Sequence, residues 1–171
     1  MKEFCVRKFA VLASLPACLM LAGCIPEMNK AAPTAVVNLE AYSASSVRGR
    51  ITLGDQDGIT RIFVDVTGLT GEHGFHIHEE ADCRRAVANV SKGHLNPDGK
   101  PHGQHLGDLP NIRADVYGTM RDAVYVRNLT LTGKDTVVGR TLIITSHYDD
   151  YKTQPDGRSG QAIACGVIVA I

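Results

Sequence analysis

The chain lacks an excess of charge of either sign: 18 Lys and Arg stand against 18 Asp and Glu over 171 residues. Nucleic-acid binding needs a basic face, and this balance supplies none. Also missing is an apolar run long enough to cross a bilayer. The longest, Phe9 to Ala22, falls short of the roughly 20 residues a spanning helix needs. Beyond it no stretch carries a sustained helical period, which argues against helical bundles. Cysteine is scarce, for three of the five (Cys5, Cys18 and Cys24) fall in the N-terminal segment, leaving Cys83 and Cys165. Histidine is absent outside the interval His73 to His147, and that absence concentrates all seven in one part of the chain.

The N-terminal segment reads as an export signal. Met1, Lys2, Arg7 and Lys8 form a positive start, Phe9 to Ala22 an apolar centre, and Leu21-Ala22-Gly23-Cys24 its end. Cys24 after Leu-Ala-Gly resembles the lipobox of bacterial lipoproteins, whose cysteine is acylated and becomes the mature N-terminus; the alternative is an ordinary signal peptide cleaved nearby. Several acyl chains would anchor the protein stably in a membrane, where one chain would not. Ile25 after the cysteine points to the outer membrane, by resemblance to the sorting rule of such lipoproteins. The expected organisation is residues 1–23 as lipoprotein signal, 24–35 as flexible tether and 36–171 as a single domain in the periplasm. Without its signal the chain has 15 basic and 17 acidic residues. Two cysteines in an exported domain most simply form one disulfide, the alternative being two thiols that compete for metal.

From Val36 onward the signals are those of strands. Val36–Tyr42, Ser46–Leu53, Thr60–Val66, Gly74–His78, Ile112–Val116, Ala123–Leu129, Thr141–Thr145 and Ala162–Ile171 are predicted as strands, with Gly54–Gly58 as a hairpin turn. Short strands separated by turn signals predict an all-β fold, a sandwich or barrel of about eight antiparallel strands. Two polar stretches, Glu79–Asn111 and Ser146–Gln161, are long enough to be functional loops.

Five of the seven histidines and one aspartate form the series His76, His78, His94, His102, His105 and Asp108. Imidazole nitrogens with one carboxylate suit zinc and copper; calcium and magnesium take oxygen. Scattered surface histidines are the plainer alternative. His76 and His78 are two apart, so in a strand both imidazoles share a face while Ile77 points to the other. His94, His102, His105 and Asp108 offer three nitrogens and one oxygen, a set that closes a tetrahedral zinc site.

Taken together, Gly68-Leu69, His73-Gly74-Phe75-His76-Ile77-His78-Glu79, Gly93-His94-Leu95-Asn96-Pro97, His105 to Asn111, Gly139-Arg140-Thr141-Leu142 and Ala164-Cys165-Gly166-Val167-Ile168 resemble the bacterial copper/zinc superoxide dismutases from about Val36 to Ile171. The resemblance implies a Greek-key β-barrel with a metal site outside it under two loops. It implies copper on His76, His78 and His94, with His94 bridging to zinc on His94, His102, His105 and Asp108. Asp149 takes the place of a carboxylate that hydrogen-bonds His76 and His102, its alternative being a solvated loop residue. Cys83 and Cys165 take the places of the family disulfide. The implied reaction oxidises one superoxide to oxygen and reduces the next to hydrogen peroxide.

Three departures bear on that reaction. The family's fourth copper histidine is Thr145 here; His147, two residues on, is either a replacement ligand or a loop residue. The family's anion-guiding arginine is Ala162, with Arg158 as the only nearby cation. His102 and His105 are separated by two residues, a closeness that Gly103 permits. Three functions follow as expectations: an active dismutase, a zinc-retaining binding protein with a weakened copper site, or a lipoprotein using the barrel only for contacts. The last predicts decay of the zinc ligands, and they are present.

Overall fold

The computed structural model describes residues 34–171. The expected signal, Cys24 and most of the tether lie outside the described residues.

The architecture is all-β: strands β1 (Ala35–Ala41), β2 (Arg48–Gln56), β3 (Ile59–Thr67), β4 (Glu72–His73), β5 (Phe75–His78), β6 (Ile112–Arg113), β7 (Thr119–Arg127), β8 (Thr141–Thr145), β9 (Ala162–Val167) and β10 (Val169–Ala170), with one helix, α1 (Cys83–Ala88). The main sheet is antiparallel in the order β5-β8-β9-β1-β2-β3-β7, with β10 also on β1; β4 and β6 pair separately. β1 joins the two halves, because Ala35–Leu39 pair with β2 while Glu40 and Ala41 pair with β9. The curled sheet closes over apolar residues: Ile51, Leu53, Ile62, Val64, Phe75, Ile77, Leu142 and Ile144 are fully buried in one core.

Local chemistry moved several expected boundaries. The first hairpin turn is only Asp57-Gly58, both at positive φ (52° and 74°), the two-residue turn whose twist matches paired strands. Strand pairing runs out to Gln56↔Ile59, and the Asp55 carboxylate ties the end of the hairpin by accepting from the Thr60 hydroxyl and from Leu131 N. The strand expected at Ile112–Val116 stops at Arg113, because Asp115 turns the chain by accepting from Tyr117 N and Thr119 N. β7 starts earlier and ends at Arg127, before Asn128 at φ 67°. The last expected strand is divided at Ile168, whose N–H and carbonyl bond to Arg140 and Gly139. Helix α1 interrupts the expected loop. Asp82 caps it by accepting from Arg85 N at 3.1 Å, and its six residues are too few to show a helical period.

Candidate metal centre

Strand alternation places the site. On β5, Phe75 and Ile77 enter the core, so His76 and His78 project from the opposite face, where both are fully buried. On β8, Leu142 and Ile144 enter the same core while Ile143 joins a second cluster outside it. The Glu79–Asn111 segment folds back over β5: Ile77 N donates to Gly107 O, Leu95 N to Ile77 O, and Glu79 N to Gly93 O. Bridges His78↔His94 and His76↔Asp108 follow. Gly107 is required here, since a Cβ would stand 2.2 Å from Ile77 O.

His94, His102, His105 and Asp108 converge, with one donor atom from each within 4.8 Å of the others. Asp108 Oδ1 lies 2.8 Å from His94 Nδ1, 3.2 Å from His105 Nδ1 and 3.5 Å from His102 Nδ1. Its other oxygen accepts from Gly103 N and His105 N, fixing the carboxylate. Gly103 has φ 86°, and a Cβ there would strike Tyr151 O, so the short His102–His105 turn depends on glycine.

Asp149 spans the two halves of the cluster, bonding His76 Nε2 and His102 Nε2, each at 2.8 Å. Tyr151 N donates to the same carboxylate, and Asn111 clamps the Asp149 backbone with two reciprocal hydrogen bonds. A carboxylate accepting from both Nε2 atoms leaves both Nδ1 atoms as lone pairs. The ring of His94 stacks on that of His76 with centroids 4.1 Å apart.

Most of the buried side-chain atoms without a partner are imidazole nitrogens of this cluster. His76 Nδ1, both nitrogens of His78, His94 Nε2, His102 Nδ1 and His105 Nδ1 are buried without a hydrogen-bond partner. So many orphaned imidazole nitrogens in one place would be costly unless a cation satisfies them. Burial, then the neighbouring His94 and His76, holds His78 down to about 2, and burial likewise lowers His76, so both rings stay neutral as ligands must. Burial works to raise both carboxyls, yet the hydrogen bond and charge of the surrounding imidazoles keep Asp108 below its ordinary value, and hydrogen bonds from His76, His102 and Tyr151 N bring Asp149 to about 2.

A model of the copper/zinc superoxide dismutase family matches residues 47–168. The chain belongs to that family. It is 38% identical to copper/zinc superoxide dismutase 2 of Aquifex aeolicus over 135 residues, 71% of this chain and 79% of that one. It is 32% identical to the copper/zinc superoxide dismutase of Paramecium bursaria Chlorella virus 1 over 149 residues, 79% of each. A crystal structure of the clock protein EA4 superposes with a TM-score of 0.71 at 32% identity, covering 81% of this chain and 96% of that one.

Within the family frame, Cys83 and Cys165 are bridged, tying α1 to β9. Thr145 and Ala162, two of the three sequence departures, are cross-strand partners. The Thr145 hydroxyl bonds to Gly74 O and His147 O, and it lies with His76 Cε1 within 3 Å of where a Cβ on Gly74 would sit. Thr145 therefore faces the imidazoles. His147 is exposed, its Nδ1 lies 3.0 Å from Ser146 Oγ, and its ring makes none of the ring contacts that link the other five. Arg158 is exposed in the second loop, its backbone N–H on Asp156. Asn111 and Tyr151 are positioning residues that sequence reasoning missed. Asn111 closes the His105 to Asn111 motif without an evident role there, and Tyr151, at φ 56°, carries no sequence signal.

Proposed function

We propose that the chain is a metal-binding superoxide dismutase-like protein that holds zinc firmly and copper weakly, with little or no superoxide turnover. Zinc would be held by His94 Nδ1, His102 Nδ1, His105 Nδ1 and Asp108 Oδ1, a closed set of the structural type. Copper would be held by His76, His78 and His94, and it would supply the one-electron chemistry of the family. The observation that carries the reading is the Thr145–Ala162 pair: a ligand position and an anion-guiding position are both filled by short, uncharged side chains at one place on the β8–β9 ladder. His78 also stands outside the two tight donor groupings found among the described residues, His94/His102/His105/Asp108 and His76/Asp108/Asp149.

A second reading, an active copper/zinc superoxide dismutase, has support from the Asp149 bridge and from the stacked His76 and His94 rings, which keep both halves of a two-metal site oriented. The sequence further supports export and lipid anchoring at Cys24, most simply at the periplasmic face of the outer membrane.

Metal analysis of purified protein together with melting in zinc and in chelator tests the first reading. A metal held only by the native state raises stability by mass action, about 2.7 kcal/mol when free metal is about 100 times the dissociation constant. Zinc should raise the melting temperature, and superoxide decay should stay near the uncatalysed rate in added copper. An unchanged melting temperature refutes the zinc site; one tightly held copper per chain with near diffusion-limited decay establishes the second reading instead.

A further inference from the structure

Glu80 follows the β5 histidines and has no role in the set above. Its Oε2 is buried without a hydrogen-bond partner, as is His78 Nδ1, and the two atoms are 3.9 Å apart. Buried polar groups without partners are rare, and two of complementary chemistry facing one another are rarer. The remainder of Glu80 is held in place: Asn89 Nδ2 donates to Oε1 at 2.9 Å, and Thr141 N donates to the Glu80 carbonyl at 3.0 Å. Asn89 is the residue that ends α1. The short helix, pinned by the disulfide at Cys83, thus delivers the amide that aims this carboxylate. Gly93 keeps the approach open, because a Cβ there would lie 2.7 Å from His78 Nδ1 and 2.8 Å from Glu80 Oε2.

We infer that Glu80 is a positioning residue whose carboxylate accepts a hydrogen bond from the Nδ1–H of His78, leaving the Nε2 lone pair for a metal. A closure of about 1 Å brings the pair into hydrogen-bond range. His76 and His102 are served by the Asp149 carboxylate, and Glu80 does the same for the one cluster histidine that neither Asp108 nor Asp149 touches. Carboxylates behind metal-binding imidazoles fix the tautomer and raise the donor's basicity. The device matters most at a copper site that lacks its fourth imidazole. It rests on the reading of His78 as a metal ligand, and one arm of the test is independent of metal.

That arm is long-range proton–nitrogen NMR of the metal-free protein. His78 should be protonated on Nδ1 in the wild type and should lose that single tautomer in Glu80→Ala and in Gly93→Ala. Protonation on Nε2 in the wild type, or an unchanged tautomer in Glu80→Ala, overturns the inference. The second arm is copper affinity by chelator competition. Glu80→Gln should weaken copper about 10-fold or more, leave zinc affinity unchanged, and add no loss in a His78→Ala background. Wild-type copper affinity in Glu80→Gln overturns the positioning role. Undiminished copper affinity in His78→Ala alone refutes the three-histidine site, and the NMR result then decides the Glu80 pairing by itself.

Discussion

Thr145 and Ala162 are different kinds of loss at the residue scale. The carbonyls that accept from the Thr145 hydroxyl, Gly74 O and His147 O, already accept backbone N–H groups, so removing the hydroxyl leaves neither unpaired. Thr145→His should therefore cost no backbone hydrogen bond and should tighten copper roughly tenfold or more, about 1.4 kcal/mol, by adding an imidazole beside His76. Ala162 is 1% exposed among Ala86, Ile143 and Cys165. Ala162→Arg alone should cost about 1–3 kcal/mol through overpacking, and any gain in superoxide decay should fall as salt rises. Copper titration, denaturation and superoxide decay on the single and double variants check this; turnover in wild type equal to that of the double variant contradicts it. The imidazoles also set a pH dependence. Folded His78 titrates near 2, far below the ordinary histidine value of 6.5, so below 6.5 the unfolded chain binds a proton the folded one refuses. Stability of chelator-treated protein should fall on acidification from about pH 7.5 to about pH 5, by up to about 1.4 kcal/mol per pH unit per such group. Asp149 adds a loss of the same sign between its ordinary 3.8 and about 2. Denaturant midpoints that do not move over the upper interval would contradict the buried, neutral state of His78.

Helix α1 is the element whose role is out of proportion to its six residues. It carries Cys83 to the disulfide, Ala86 to the second apolar cluster, and the following Asn89 to Glu80. The bridge closes a sequence separation of 82 residues, and constraining so long a loop in the unfolded chain stabilises the fold by roughly 2–4 kcal/mol. Cys83→Ser should lose about that much in denaturant unfolding, with the strands β1–β3 still forming the same hairpins in hydrogen exchange. An unchanged midpoint would show that the packing of α1 against β8 and β9 suffices without the bond. Sequence reasoning found the longer strands because each shows an alternating or apolar run bounded by turn residues, and it missed β4, whose two residues Glu72 and His73 show neither. α1 was hidden, since one and a half turns give no periodicity and the capping Asp82 looks like any loop aspartate.

For the molecule as a whole, the curled sheet is an apolar scaffold that holds the histidine–aspartate cluster on an outer face beneath two loops. N-terminal to the described residues, the proposed lipid attachment at Cys24 would keep that scaffold on a membrane surface. Cys24→Ser should move the protein from the membrane fraction to the soluble periplasmic fraction when cells are fractionated, without altering metal content. A wild-type protein already soluble after osmotic release would rule out the anchor.

Much of the centre was legible in the residues alone. The spacing of His76 and His78 places both imidazoles on one face because neighbouring side chains in a strand point oppositely, and a nitrogen-rich donor set excludes the oxygen-seeking cations. The all-β class followed from short alternating runs. Tertiary structure decided which atoms meet. Asp149 reaches His76 and His102 across 73 and 47 residues, and the folded loop, not the spacing, turns three Nδ1 atoms toward one oxygen of Asp108. Folding also leaves His147 at the surface, pairs Thr145 with Ala162, and sets Glu80 opposite His78. Strand register and loop closure are properties of the packed chain, fixed by contacts between distant segments, and no local pattern of residue types encodes them.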